Sequence, residues 1–306
     1  MEKEKIVING IFYLFLTTCF LLLWIKEKEV VELIKEYRGA FSQKVISIFN
    51  IESPTTQKGV KKTVNFVETI GSALILVLII QKFYLGNFLV PTGSMIPTIM
   101  PKDRIFGNMV VYSFKQPKRE DIIVFREPVE NKVLYTKRVM GLPGEEVKIE
   151  FGHLYINNKR IDSREYSNLG FIQYDTWTIP KKGDTVEIVP GADYTSEIKS
   201  EDIEEIQEFL LEKPGQLKEI LPDVDFYVNG KKTGMILDYI HDKDMLDDIL
   251  EGKTVKTQID ENYYMVLGDN TDGSYDSRMW GFVAENRIKG KAFVRFWPLN
   301  RMGLVK

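Results

Sequence analysis

Apolar and polar positions follow three rhythms along this chain, and each rhythm marks a different kind of element. Ile6 to Ile25 is a run of twenty residues without a charge, the length an α-helix needs to cross a hydrocarbon layer of about 30 Å. Val30, Leu33, Ile34, Tyr37, Phe41, Val45 and Ile48 then return at helical spacing and predict a surface helix. A second apolar run, fully uncharged from Gly71 to Ile80, predicts a crossing over about residues 66–85. In that crossing Lys82 snorkels to the interface and Phe83, Tyr84 and Phe88 sit at headgroup level. From residue 105 the period drops to that of strands: Ile105 to Tyr112, Ile122 to Phe125, Val133 to Met140, Val147 to Ile149, Leu154 to Ile156, Thr185 to Val189, Tyr263 to Leu267 and Ala292 to Trp297. Asn157-Asn158 and Asn229-Gly230 have the composition of hairpin turns. Helical spacing comes back at Ile203, Ile206, Phe209 and Leu210, and again at Ile236, Ile240, Leu246, Ile249 and Leu250. The predicted organisation is a membrane anchor over residues 1–90, with two transmembrane helices joined by a loop over 26–65. A mainly β domain of residues 91–149 and 263–306 follows, with an α+β cap inserted over 150–262.

Charge gives this pattern a direction. Residues 26–67 hold eight Lys and Arg, whereas only Lys3 and Lys5 precede the first apolar run. The positive-inside rule places that loop in the cytoplasm and everything beyond the second crossing outside. Lys26-Glu27-Lys28-Glu29 follows the first run at once, with no small-x-small site, so the run reads as an uncleaved anchor rather than a leader. Leu16-Thr17-Thr18-Cys19 lacks the Gly or Ala that a lipoprotein site carries before its cysteine. Cys19 is the sole cysteine; it excludes an intramolecular disulfide and is expected to pack against lipid or another helix. A net charge of −3, from 41 basic and 44 acidic residues, gives no case for nucleic acid. Positions 201–251 carry 15 Asp and Glu against 5 Lys and Arg, which reads as the solvated face of the cap.

Candidate chemistry begins at Pro91-Thr92-Gly93-Ser94-Met95-Ile96-Pro97-Thr98, just past the second apolar run. A serine in a loop pinned by two prolines has little side-chain freedom to lose, which suits a nucleophile. The usual base for a serine is histidine, and this chain has two. His153 lies in a strand-and-turn pattern and His241 in an acidic run, neither beside a serine-bearing turn, and both read as ordinary residues. Lys137 is then the candidate base, 43 positions past Ser94 in Val133-Leu134-Tyr135-Thr136-Lys137-Arg138. Only about one unperturbed lysine in 2,500 is neutral at pH 7, so a working lysine base must be desolvated. Val133, Leu134 and Tyr135 can supply that environment.

Four stretches in one order carry a resemblance to a known family. They are Pro91 to Thr98; Arg119-Glu120-Asp121-Ile122-Ile123-Val124-Phe125; Lys137-Arg138-Val139-Met140-Gly141-Leu142-Pro143-Gly144-Glu145; and Leu267-Gly268-Asp269-Asn270-Thr271-Asp272-Gly273-Ser274-Tyr275-Asp276-Ser277-Arg278. Behind two apolar runs they resemble bacterial type I signal peptidase, a membrane-bound Ser/Lys protease that removes signal peptides from exported proteins. The resemblance covers about residues 66–145 and 262–298. It implies a signal-peptidase-like β fold for residues 91–149 and 263–306. It implies Ser94 as nucleophile, Lys137 as base, Thr92 with the Ser94 N–H as oxyanion donors, and Ser274 orienting Lys137. Asp269, Asp276 and Arg278 support that loop, and Phe88, Val90, Met95, Ile105, Tyr135 and Thr136 shape shallow apolar pockets for an extended substrate. It implies no metal and no organic cofactor, and as partners the signal peptides of exported preproteins and the lipid bilayer, with a monomer in the bacterial plasma membrane whose catalytic side faces out. Thr92 stands where many members have Ser, Thr271 and Gly273 replace a common Arg and Asn, and Thr136 replaces a common Ile or Val.

Other readings are open to test. A membrane-anchored β domain that binds extended peptides without cutting them would keep the pockets and lose the dyad. Ser196-x-x-Lys199 with Lys232-Thr233-Gly234 looks like the penicillin-binding enzymes, but the Ser-Asp-Asn element is missing. Asp269 to Asp276 looks superficially like a calcium loop, but Trp280 stands where the twelfth-position carboxylate belongs.

Overall fold

The computed structural model describes residues 14, 15, 17, 18, 21, 22, 25–161, 163–173 and 175–305. The chain folds as two compact units, Met1–Leu85 and Gly86–Lys306. In the first, the helical rhythm that begins at Val30 is α1 (Glu27–Ile48), and a longer helix, α2, spans Pro54–Phe83. Pro54 opens α2 at the first helical position, where a missing N–H costs nothing. Ser42 and Ile46 of α1 are buried, and Arg38 pairs with Glu68 of α2 at 3.5 Å. Over Pro54–Gln81, α2 is long and apolar enough to cross a membrane, and its side chains from Leu74 to Ile80 are exposed rather than packed in protein. The crossing expected over 66–85 is thus the second half of a longer helix, which ends at Phe83 before the chain enters a strand at Leu85. The crossing expected over 6–25, with Cys19, lies for the most part outside the described residues.

The second unit is mainly β. Its largest sheet has eight strands in the order β1 (Leu85–Leu89), β2 (Arg104–Asn108), β15 (Ile288–Trp297), β3 (Ile122–Arg126), β4 (Leu134–Gly141), β13 (Tyr263–Leu267) and β14 (Val283–Ala284), with β16 (Gly303–Leu304) on β15. One four-stranded sheet runs β7 (Lys159–Arg160), β6 (His153–Ile156), β5 (Glu146–Glu150), β8 (Trp177–Thr178). The other runs β11 (Lys231–Thr233), β10 (Asp225–Val228), β9 (Thr185–Val189), β12 (Val255–Gln258). Both sequence-predicted turns close hairpins: Ile156 pairs with Lys159 around Asn157-Asn158, and Val228 with Lys231 around Asn229-Gly230. All four turn residues have positive φ, the backbone that a two-residue type I′ connection demands. The run expected as a strand to Tyr112 stops at Asn108, whose side-chain oxygen accepts from the Val110 and Val111 N–H at 3.0 Å and closes a turn.

The segment 150–262 is more than a solvated cap. One apolar core joins Ile123, Phe125 and Val139 to Leu210, Leu217, Leu246 and Ile249, and to Tyr264 through Leu267. The acidic side of α3 (Ser200–Glu212) faces water, with Asp202, Glu204, Glu205 and Glu208 exposed. Ile236 and Ile240 share helical spacing but sit in turns. The helix beyond them, α4 (Lys243–Leu250), starts only where the Asp242 side chain caps the Met245 N–H at 3.2 Å. Ile236, Leu237 and Ile240 are fully buried all the same and plug the core. A smaller cluster of Val90, Met95, Ile99, Ile105, Ile122, Val124 and Ala292 lies under the serine loop.

Candidate active site

The serine loop is held from below and from the side. Met95 and Ile99 are fully buried anchors, and Val90 and Lys102 tie its ends through Val90 N–Asp103 O at 2.9 Å and Lys102 N–Val90 O at 2.7 Å. Asn270 clamps the loop at Ser94: its backbone N–H donates to the Ser94 carbonyl at 3.0 Å and its Nδ2 to the Gly93 carbonyl at 3.1 Å. Thr98 Oγ1 donates to Asp269 Oδ2 at 2.5 Å.

Lys137 comes from the middle of β4, opposite Ile123 of β3. A strand points alternate side chains to one face, and on that face the Lys137 ammonium lies 5.3 Å from the Tyr135 ring centre. Lys137 Nζ donates to Ser94 Oγ at 2.7 Å, and the two residues are only 4% and 7% exposed. Burial pushes the Lys137 amine down to about 8, with the Arg278 guanidinium adding to the effect and Asp276 opposing it. At that value roughly one molecule in ten is neutral at pH 7, some two hundred times the unperturbed fraction. Thr92 Oγ1 lies 3.3 Å from Ser94 Oγ.

Behind the pair stand two buried ion pairs. Arg138, next to Lys137 on β4, clasps Asp269 through Nε at 2.8 Å and Nη2 at 2.6 Å. Burial alone would raise the Asp269 carboxyl, but the bonds from Arg138 and Thr98 outweigh it and hold the group low. Arg278 clasps Asp276 through Nε and Nη2, both at 2.9 Å. Asp276 Oδ2 also accepts the Gly268 N–H at 3.0 Å. Gly268 has no room for a side chain: a Cβ there would stand 2.2 Å from Ser274 Oγ and 2.4 Å from the Ser94 carbonyl oxygen. Ser274 is thus beside the Ser94 backbone, but its hydroxyl is buried without a hydrogen-bond partner, so the bond expected from it to Lys137 is not made here.

The residues expected to shape the pockets divide in two. Phe88, Tyr135 and Thr136 are half-buried and present surface, whereas Val90, Met95 and Ile105 lie in the small cluster under the loop and act only by backing what lies in front. Phe88 lies over two glycines, Gly86 and Gly107, at either of which a Cβ would meet its ring. Gly268, Asn270, Arg138 and Thr98 all stand inside the motif stretches, but spacing alone did not mark them as partners. Arg138 and Asp269 are 131 positions apart.

The rival chemistries find no geometry. Lys232 pairs with Asp225 at 3.1 Å, and Ser196 Oγ donates to the Asp193 carbonyl at 2.8 Å. Both outer carboxylates of the calcium-like loop are occupied by arginines, and among the described residues no acidic, His and Cys group could hold a metal ion. His153 Nδ1 is 3.4 Å from the Arg164 carbonyl and His241 Nε2 2.7 Å from the Pro128 carbonyl.

Known proteins share this arrangement of sequence. The family described as Signal peptidase, peptidase S26 matches residues 63–204 and 213–297. The chain is 31% identical over 224 residues to a signal peptidase I of Aquifex aeolicus (strain VF5), covering 73% of this chain and 80% of that one. It is 28% identical to a signal peptidase I of Buchnera aphidicola subsp. Baizongia pistaciae, with 79% of each chain covered. A crystal structure of a signal peptidase I from Enterococcus faecalis V583 aligns over 58% of this chain and 97% of its own at 23% identity, with a TM-score of 0.27 that is too low to bear on the fold. A family match across most of the residues past 63, with 31% identity over most of both chains, means that this chain belongs to the peptidase S26 signal peptidases and is a serine peptidase.

Proposed function

We propose that the chain is a membrane-bound serine endopeptidase that cuts N-terminal signal peptides from exported preproteins, with Ser94 and Lys137 as its catalytic dyad. The observation that carries this reading is the 2.7 Å approach of Lys137 Nζ to Ser94 Oγ in a site where burial brings the amine down to about 8. A neutral Lys137 accepts the Ser94 hydroxyl proton as Oγ bonds to the scissile carbonyl carbon. The charge that develops on the carbonyl oxygen is met by the Ser94 N–H and the Thr92 hydroxyl, a type of donor worth roughly 3 kcal/mol in related hydrolases. The ammonium returns its proton to the leaving amine as the C–N bond breaks, leaving an acyl group on Ser94. Water, deprotonated by Lys137, then attacks the acyl carbon, and Ser94 leaves with its proton restored.

The buried and otherwise unpartnered Ser274 hydroxyl is available to an N–H of Lys137 once the amine is charged. Asp269, Asp276 and Arg278 keep both loops in place. The substrate runs extended beside Phe88 and the Tyr135–Thr136 segment, whose half-buried side chains leave shallow pockets. Two crossings, over residues 6–25 and 66–85, hold the enzyme in the plasma membrane with the catalytic part outside.

Ser94→Ala tests the core of the reading. The variant inserts and folds, because one loop hydroxyl contributes little to stability, yet releases no mature protein from a preprotein substrate. Retained cleavage overturns the assignment. A serine-acylating inhibitor that labels the parent chain at Ser94 separates a peptidase from a domain that only binds peptides.

A further inference from the structure

Residues 164–171 reach from the 150–262 segment across the loop that ends in Asp276 and Arg278. The segment is moored at one end by the Tyr166 N–H, which donates to the Gly152 carbonyl at 2.8 Å, and at the other by Ile172, fully buried in the core. Between these moorings it surrounds Arg278. The Tyr166 ring, itself buried, lies 5.3 Å from the guanidinium carbon, within cation–π range. Arg278 Nη1 donates to the Asn168 carbonyl at 2.5 Å, and the Phe171 N–H donates to the Arg278 carbonyl at 2.8 Å. Gly170 has φ +58, and a Cβ there would come within 2.4 Å of the Arg278 carbonyl oxygen, so the two backbones touch. The exposed Asn168 side chain closes this turn by accepting the Gly170 N–H at 3.1 Å. Further along, Ser167 Oγ donates to Asp272 at 2.5 Å and Arg164 reaches Asp269 at 3.4 Å.

Arg278 is the partner of Asp276, and Asp276 in turn holds the Gly268 N–H beside Ser94. A guanidinium held on a ring, a carbonyl and a carboxylate at once has one position, and so has the dipole that it makes with Asp276. We infer that residues 164–171 form a strap that positions the catalytic centre, with Tyr166 and Asn168 as positioning residues acting on Lys137 through the Arg278–Asp276 pair. The inference rests on the Ser94–Lys137 reading. Its direction follows from charge: a slack strap lets the Arg278 cation drift from Lys137 and leaves Asp276 less neutralised, and both changes favour the protonated lysine.

The test uses the full chain in detergent with a signal-peptide substrate and reads kcat, KM and the acid limb of the pH profile. Tyr166→Leu keeps an apolar side chain and removes the ring; Asn168→Ala removes the exposed side chain that accepts the Gly170 N–H; Tyr166→Phe keeps the ring and is the conservative control. Tyr166→Leu and Asn168→Ala are expected to move the acid limb up by about half a pH unit, with kcat several-fold lower and KM within about twofold. Tyr166→Phe, which keeps the ring over Arg278, should lie closer to the parent than Tyr166→Leu. Should Tyr166→Leu fail to fold, Asn168→Ala decides alone. An unchanged acid limb and kcat in the folded variants, or a change confined to KM, overturns the strap. Activity that survives Ser94→Ala or Lys137→Arg in the parent chain defeats the dyad reading instead, so the two failures are told apart.

Discussion

Lys137 illustrates what one buried residue costs and what it makes possible. Its folded value of about 8 lies below the ordinary 10.5, so between those two pH values the unfolded chain binds the proton that the folded chain releases, and stability rises with pH across that window. Below about 8 the full penalty applies, about 3 kcal/mol at 1.36 kcal/mol per unit. Lys137→Met should therefore be inactive yet more stable than the parent at pH 7, by up to about 3 kcal/mol, as read by thermal unfolding. On the proposed mechanism the base must be neutral, so cleavage should climb with pH along one ionisation near 8. Lys137→Arg should be inactive from pH 6 to 9, because a guanidinium releases no proton at any working pH. An active arginine variant, or a flat profile with chemistry rate-limiting, would remove Lys137 from the mechanism.

The β3–β4 hairpin is the element that delivers this lysine, and its connection is built around one carboxylate. Glu127 is fully buried, and it accepts the N–H groups of Glu130 and Lys132 at 2.7 Å and of Val133 at 3.2 Å. Arg287 adds a bond to the Glu127 carbonyl at 3.2 Å and another to the Asn131 side chain at 3.0 Å. Glu127→Ala orphans three backbone donors at the turn feeding Leu134 to Lys137, and should cost about 3 kcal/mol of stability. Because Tyr135 and Thr136 follow directly, KM for peptide substrates should rise as well; unchanged unfolding and KM would show that the turn holds itself. The hairpin strands, the two Asn-led turns and the serine loop were legible in the sequence because each is specified locally, by alternation or by residues that accept positive φ. What was not legible depends on partners far along the chain. The clasp of Arg138 on Asp269, the clamp of Asn270 on Ser94 and the surroundings of Arg278 join segments more than 100 positions apart. The same limit explains Ile236 and Ile240, whose helical spacing comes from plugging a core that other segments complete, and Ser274, whose expected bond to Lys137 is not made.

At the scale of the whole molecule the charge distribution predicts which side of the membrane the chemistry faces. Lys and Arg in short flanking loops resist translocation, and the Asp and Glu among them count little. The loop between the two expected crossings carries eight such cations against two before the first, so the rule predicts that the loop stays inside and that the second unit is carried out. That orientation is the one the proposed function requires, because a signal segment is to be cut after it has crossed. With Cys19 replaced by Ser, a single cysteine at Lys61 reports on the loop and one at Lys159, exposed in the β6–β7 hairpin, reports on the second unit. In intact cells, or in spheroplasts where an outer membrane is present, a membrane-impermeant maleimide should label Lys159→Cys and spare Lys61→Cys, and after lysis it should label both. The opposite pattern would put the dyad in the cytoplasm, where no exported preprotein could be met after crossing, and the proposed function would fail with the topology.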